Sequence, residues 1–140
     1  MSFDTLGELN WLAVLGAAVA YFVLGGLWYS PAAFGKPWMR AAGIEPDVEG
    51  PGAVVYIAPL VGCIVAAIAT GMLVVATGSD EVGDGIVLGL VTGIGFALTL
   101  IGTTAMFEPS KPNAALWGVI TGGYHAVGFM IMAVVVSVWN

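Results

Sequence analysis

The sequence predicts an all-α polytopic membrane protein, four transmembrane helices in one bundle, and three observations carry that prediction. All twelve Asp, Glu, Lys and Arg side chains fall outside four apolar stretches, residues 11–29, 52–78, 85–107 and 112–140. An ionised side chain at the centre of a lipid core costs about 2.5–3.5 kcal/mol even on mild scales, so four runs cleared of charge suit lipid and not water. The composition agrees: 59% hydrophobic and 9% charged, against about 45–50% and about 25% in soluble domains. Finally, the shortest stretch has 19 residues, a helix of roughly 28 Å for a hydrocarbon core of about 30 Å. Strands of a membrane barrel would alternate polar and apolar residues, and these runs are continuously apolar.

The first stretch follows Asp4 and Glu8, acidic flanks that do not suit a cleaved leader, so it is expected to remain as the first span, about 11–29. The connection after it, residues 30–51, is the longest and carries Lys36 and Arg40. Pro37 suits a first helical position and Gly43 the position just past a helix end, so a short helix is expected between them. With Phe34, Trp38 and Met39 on the same segment, that helix would lie at the headgroup level; an ordinary loop with an aromatic anchor is equally compatible.

The second span, about 54–77, contains Pro59, expected to kink it, and the single Cys63, expected to pack as a small apolar group. Asp80, Glu81 and Asp84 form an acidic connection, the third span covers about 85–107, and Glu108-Pro109-Ser110-Lys111 leads to the fourth, about 114–138. No soluble segment is long enough to fold alone, so residues 1–140 read as one domain. The basic residues Lys36, Arg40 and Lys111 fall on the first and third connections, which four alternating spans place on one side. That side is expected to be cytoplasmic, with both termini outside.

Packing signals are the best defined. Gly85, Gly89 and Gly93 recur every four residues in the third span, and Gly118 and Gly122 do so in the fourth. Small residues at this spacing let backbones approach closely, within a chain or between subunits. His125, the only histidine, sits midway along the fourth span beside Tyr124, on a face shared with Gly118, Thr121, Gly122, Gly128 and Phe129. It reads either as a titratable group on a proton, ion or quinone path, or as a neutral ring satisfied by a hydroxyl from Tyr21, Thr92 or Thr99. Thr92, Thr99 and Thr103 share a face that suits a narrow hydrated path, or each bonds its own preceding carbonyl. Glu108 at the third exit suits cation binding or an interfacial ion pair with Lys111. Trp11, Trp28, Tyr29, Trp117 and Trp139 suit an aromatic belt.

There is no Cys-His pair, no second histidine, no glycine loop beside a phosphate-binding lysine and no pair of carboxylates within the spans. The residues therefore offer no catalytic constellation and no cofactor or metal site. Three basic residues give nothing to hold nucleic acid.

Asn10-Trp11-Leu12-Ala13-Val14, Gly25-Gly26-Leu27-Trp28-Tyr29-Ser30-Pro31 and Phe34-Gly35-Lys36-Pro37-Trp38-Met39 resemble the family known as domain of unknown function 1761, small prokaryotic integral membrane proteins. Glu108 and Gly123-Tyr124-His125-Ala126-Val127-Gly128-Phe129 extend the resemblance along nearly the whole chain. It implies a membrane location and no activity. The corner of Trp28, Tyr29, Ser30, Phe34, Gly35, Lys36 and Trp38, together with His125, is where a binding site is expected. The function expected first is a self-associating structural or accessory membrane component in contact with the lipid bilayer, a homo-oligomer joined through its glycine faces. The alternatives are a small channel or transporter for protons or small solutes, and an enzyme acting on lipid or quinone.

Overall fold

A computed structural model describes residues 2–45 and 52–139; Asp47 and Glu49 of the acidic first connection lie outside them. The fold is the expected all-α bundle. A short 3-10 turn at Phe3–Gly7 leads to α1 (Trp11–Trp28), α2 (Gly35–Ala42) and α3 (Val54–Thr77). Then α4 (Val82–Leu90), a π-helical segment (Val91–Leu98) and α5 (Thr99–Met106) run on as one rod, followed by α6 (Ala114–Trp139). Four helices, α1, α3, the Val82–Met106 rod and α6, are long and apolar enough to cross a membrane.

Ends and caps follow local chemistry. Asn10 caps α1 by accepting from the amides of Leu12 and Ala13, and its amide nitrogen donates to the Trp139 carbonyl at the end of α6. One side chain thus satisfies orphan groups at two helix termini. Asn10→Ala is expected to cost about 0.5–2 kcal/mol, read as a lower unfolding midpoint in detergent, whereas Asn10→Asp keeps the cap but sets a carboxylate against the Trp139 carbonyl in place of the donor.

The short helix in the first connection is real, but α2 starts at Gly35, so Pro37 is its third residue and not its first. The difference is harmless, because the first four amides of a helix have no internal partner. Gly43 closes α2 and Gly78 closes α3 in the left-handed conformation, φ 74° and 63°. Pro59 lies inside α3, which is continuous through it. The rod begins at Val82, three residues before the expected start.

The bundle is organised around α6, which packs against α1, α2, α3 and the rod; α1 also pairs with α3. The glycine rows explain the rod's seat. An added Cβ at Gly85 would lie 2.8 Å from the Val134 Cα, at Gly89 3.1 Å from the Met130 nitrogen, and at Gly93 2.9 Å from the Ala126 Cα. Next along the interface the roles reverse, with Leu98 lying against Gly122 and Ala105 against Gly118. The rod advances by four residues at Gly85, Gly89 and Gly93, then by five to Leu98, while α6 steps back by four from Val134 to Gly122. The wide π turn absorbs that extra residue and keeps both rows in register.

The two ends of the bundle differ in charge. Asp4, Glu8, Asp80, Glu81 and Asp84 sit with the start of α1 and the end of α6, while Lys36, Arg40 and Lys111 gather at the other end with α2, beside Glu45 and Glu108. There Asn113 donates its amide to the Ala41 carbonyl at 3.2 Å, fixing α2 to the start of α6.

Candidate functional site

Two tyrosine-glycine pairs lock α1 to α6 and assemble the site. Tyr21 of α1 lies on Gly128 of α6, and Tyr124 of α6 lies on Gly25 of α1, where an added Cβ would come within 3.0 Å of the Tyr124 hydroxyl. The helices run antiparallel, so stepping from Tyr21 to Gly25 on α1 matches stepping back from Gly128 to Tyr124 on α6. Each bulky ring occupies the space that a missing side chain leaves. The two rings stack with centroids 4.9 Å apart, and both are buried.

This packing brings the Tyr21 hydroxyl onto Nδ1 of His125. Of the hydroxyls expected to satisfy the histidine, Tyr21 is the one that does. Thr92 and Thr99 bond carbonyls of their own helix, Leu88 at 2.8 Å and Ile94 at 2.9 Å, and Thr103 bonds Thr99 at 2.6 Å. The threonine face is therefore spent locally. A phenol is a better donor than acceptor, which favours the tautomer in which Tyr21 donates to Nδ1 and the imidazole carries its proton on Nε2.

No group among the described residues pairs with Nε2, which does not belong to the fully buried unpartnered atoms, where Ser137 Oγ stands. His125 lines a cleft of about 270 Å³, bordered by Tyr21, Tyr124, His125 and Phe129 on one side and Pro59, Gly62, Cys63 and Ala66 of α3 on the other. Gly62 and Pro59 are exposed and His125 and Phe129 half-buried, so the cleft opens on the bundle's outer surface. A second cleft, about 290 Å³, is lined by Leu98, Gly102, Ala105, Met106, Ala115, Gly118 and Val119. It offers no polar side chain to orient a ligand, so the smaller cleft is the candidate site.

The aromatic corner predicted at the exit of the first span is continuous with this site. Trp28 donates its indole N–H to the Ile120 carbonyl and Trp38 donates to the Thr121 hydroxyl, both at 3.1 Å. These two rings are turned onto α6 and are not simple belt residues. Tyr29 meets Trp38 edge-on at 5.1 Å and Tyr124 at 5.3 Å, so Tyr124 joins the corner to His125. Phe34 packs on Trp28 at 4.6 Å, and Gly35 is buried because Tyr29 and Ser30 carbonyls fill the space above its Cα. Lys36 and Arg40 remain exposed on α2.

Glu108 stands apart, beyond the end of α5. The expected pair with Lys111 is replaced: the Glu108 carboxylate accepts from the Ser110 hydroxyl, and Lys111 places its ammonium 4.7 Å from the centre of the Trp117 ring. The Ser110 hydroxyl first, and the Lys111 charge second, hold the Glu108 carboxyl below the usual range.

Cys63 is buried with its sulfur 4.0 Å from the Tyr124 hydroxyl, a packing contact as expected. Among the described residues no three His, Cys, Asp or Glu side chains converge to hold a metal. Sequence reasoning did not assign Pro59, Gly62, Ala66 and Phe129 to the site. Three of the four carried a signal: Phe129 is one turn from His125, and Gly62 with Ala66 forms a small face on α3.

No curated protein matches the chain, and no solved structure does. A family model described as a protein of unknown function, DUF1761, matches residues 12–137. That match takes in α1 from Leu12, the aromatic corner, the cleft and α6 through Ser137, and the chain therefore belongs to the DUF1761 family.

Proposed function

We infer that this protein is an integral membrane protein that crosses the bilayer four times and binds an uncharged, lipid-soluble small molecule in the cleft beside His125. The observation that carries the reading is that the single histidine, held by Tyr21 through Nδ1, lines a cleft otherwise walled by rings and small residues. A concave, mainly apolar site with one placed polar group is the usual form of a small-molecule site. The three basic residues at one end support a cytoplasmic position for that end, with both termini outside.

The test is mass spectrometry of small molecules retained by protein extracted in mild detergent. Wild type is expected to carry a defined lipid-soluble compound, and His125→Ala to lose at least about tenfold of it, the value of one buried hydrogen bond, with unchanged helicity and elution volume. Equal retention in both would contradict the reading.

A second reading is the homo-oligomer. The glycine rows expected to join subunits are consumed within the chain, between the rod and α6. What supports self-association is a different surface: Gly95 and Gly102 of the rod have nothing within 4 Å of an added Cβ, and Leu100 and Met106 beside them are exposed.

A further inference from the structure

Resting on that reading, we propose that the ligand is a quinone, a flat ring bearing carbonyl oxygens on an apolar tail. Three features narrow the class. The first is polarity. Tyr21 occupies Nδ1, so the remaining ring nitrogen of a histidine that lines the cleft is a donor and calls for an acceptor, which a carbonyl supplies and a cation does not.

The second is depth. His125 lies 11 residues after the start of α6 at Ala114, about 16 Å along the helix at ~1.5 Å per residue. A phospholipid or fatty acid keeps its charged head at the interface, so its polar group does not reach that level. A carbonyl found there belongs to a molecule that is apolar overall.

The third is shape. Phe129 and the stacked Tyr21 and Tyr124 rings line one side of the cleft, and Gly62 and Ala66 give the other a surface without protruding side chains. About 270 Å³ is close to the ~300 Å³ lower bound of ordinary ligand clefts, room for a ring system and not for a whole lipid. The open side lets an isoprenoid tail lie along the bundle surface. The Nε2 hydrogen bonds one quinone carbonyl, and the tyrosine and phenylalanine rings stack against the quinone plane.

The test uses the full chain in nanodiscs made from quinone-free lipid, titrated with short-tail ubiquinone and menaquinone analogues while quenching of intrinsic tryptophan and tyrosine fluorescence is followed. Saturable quenching is expected, with Kd raised at least about tenfold by His125→Ala. Gly62→Leu is the second variant. Open space above Gly62 means that the fold accepts the larger side chain, which fills the cleft and removes saturable quenching. Quenching that stays linear with quinone concentration, or is unchanged in both variants, marks simple partition into lipid and overturns the proposal. If a long-chain ketone without a ring binds in a His125-dependent way and quinones do not, the ligand class is wrong and the cleft reading stands. If neither binds, both fail.

Discussion

Gly128→Ala is expected to lower the stability of the bundle by about 1–3 kcal/mol, the usual cost of overpacking a filled interior, and to break the contact between Tyr21 and His125. An added Cβ would sit inside van der Waals contact with Cε2 and Cδ2 of Tyr21 and 3.0 Å from its Cζ. The ring cannot swing freely, because it is stacked on Tyr124 and buried at 3% exposure. The alanine therefore either displaces the ring or pries α1 from α6. A double-mutant cycle separates this from a general effect on α6: in a Tyr21→Ala background the space is vacated, and Gly128→Ala is expected to cost much less. Equal losses in both backgrounds, read as unfolding midpoints in detergent, would show that Gly128 does not seat Tyr21.

Gly89→Leu is expected to be more severe, with loss of the folded protein from the detergent-soluble fraction. The neighbour here is backbone: an added Cβ collides with the Cα of Met130 and lies 3.1 Å from its nitrogen, and neither atom can rotate away. Truncating Met130 is accordingly expected not to rescue Gly89→Leu, in contrast to the Tyr21 case. Gly95→Ala on the same rod is the control, since nothing lies within 4 Å of its added Cβ. There, alanine is expected to be neutral or to add up to about 1 kcal/mol, because it lowers the entropy of the unfolded chain and favours helix. A comparable loss in Gly95→Ala would mean that glycine matters in the rod for reasons other than contact with α6.

The helices were legible in the sequence because charge and length suffice to place them. The ends of α1, α3 and α6 fall within a residue of expectation, and Gly43 and Gly78 close α2 and α3 by local chemistry that needs no tertiary context. Which face of each helix points inward was far less legible. In lipid the outer surface is as apolar as the core, so hydrophobic periodicity loses its meaning and only glycines and polar atoms mark the interior.

Those marks worked where they were dense. The rows Gly85, Gly89, Gly93 and Gly118, Gly122 do carry the helix contact, and His125 does point at a hydroxyl. They could not show that the rows meet each other within one chain, because small-residue spacing is the same for a neighbour in the chain and for a second subunit. The π turn at Val91–Leu98 was hidden for a related reason: its one-residue offset appears only once both rows are aligned. The cleft wall on α3 was missed because Pro59, Gly62 and Ala66 become a site only when α3 is laid beside α6. Trp28 and Trp38 looked like interfacial anchors, and their inward hydrogen bonds depend on tertiary packing, that of Trp28 to Ile120 on α1 lying against α6 and that of Trp38 to Thr121 on α2 folding back onto α6.

The central claim, that Tyr21 holds His125 with a free Nε2–H toward the cleft, is tested most directly by the ¹⁵N spectrum of histidine-labelled protein in lipid. With one histidine in the chain, both ring signals belong to His125. The expected result is a single neutral tautomer protonated on Nε2, whose Nδ1 signal moves in Tyr21→Phe and whose Nε2 signal moves when a quinone is added. A tautomer protonated on Nδ1, or an Nδ1 signal indifferent to Tyr21→Phe, would contradict it.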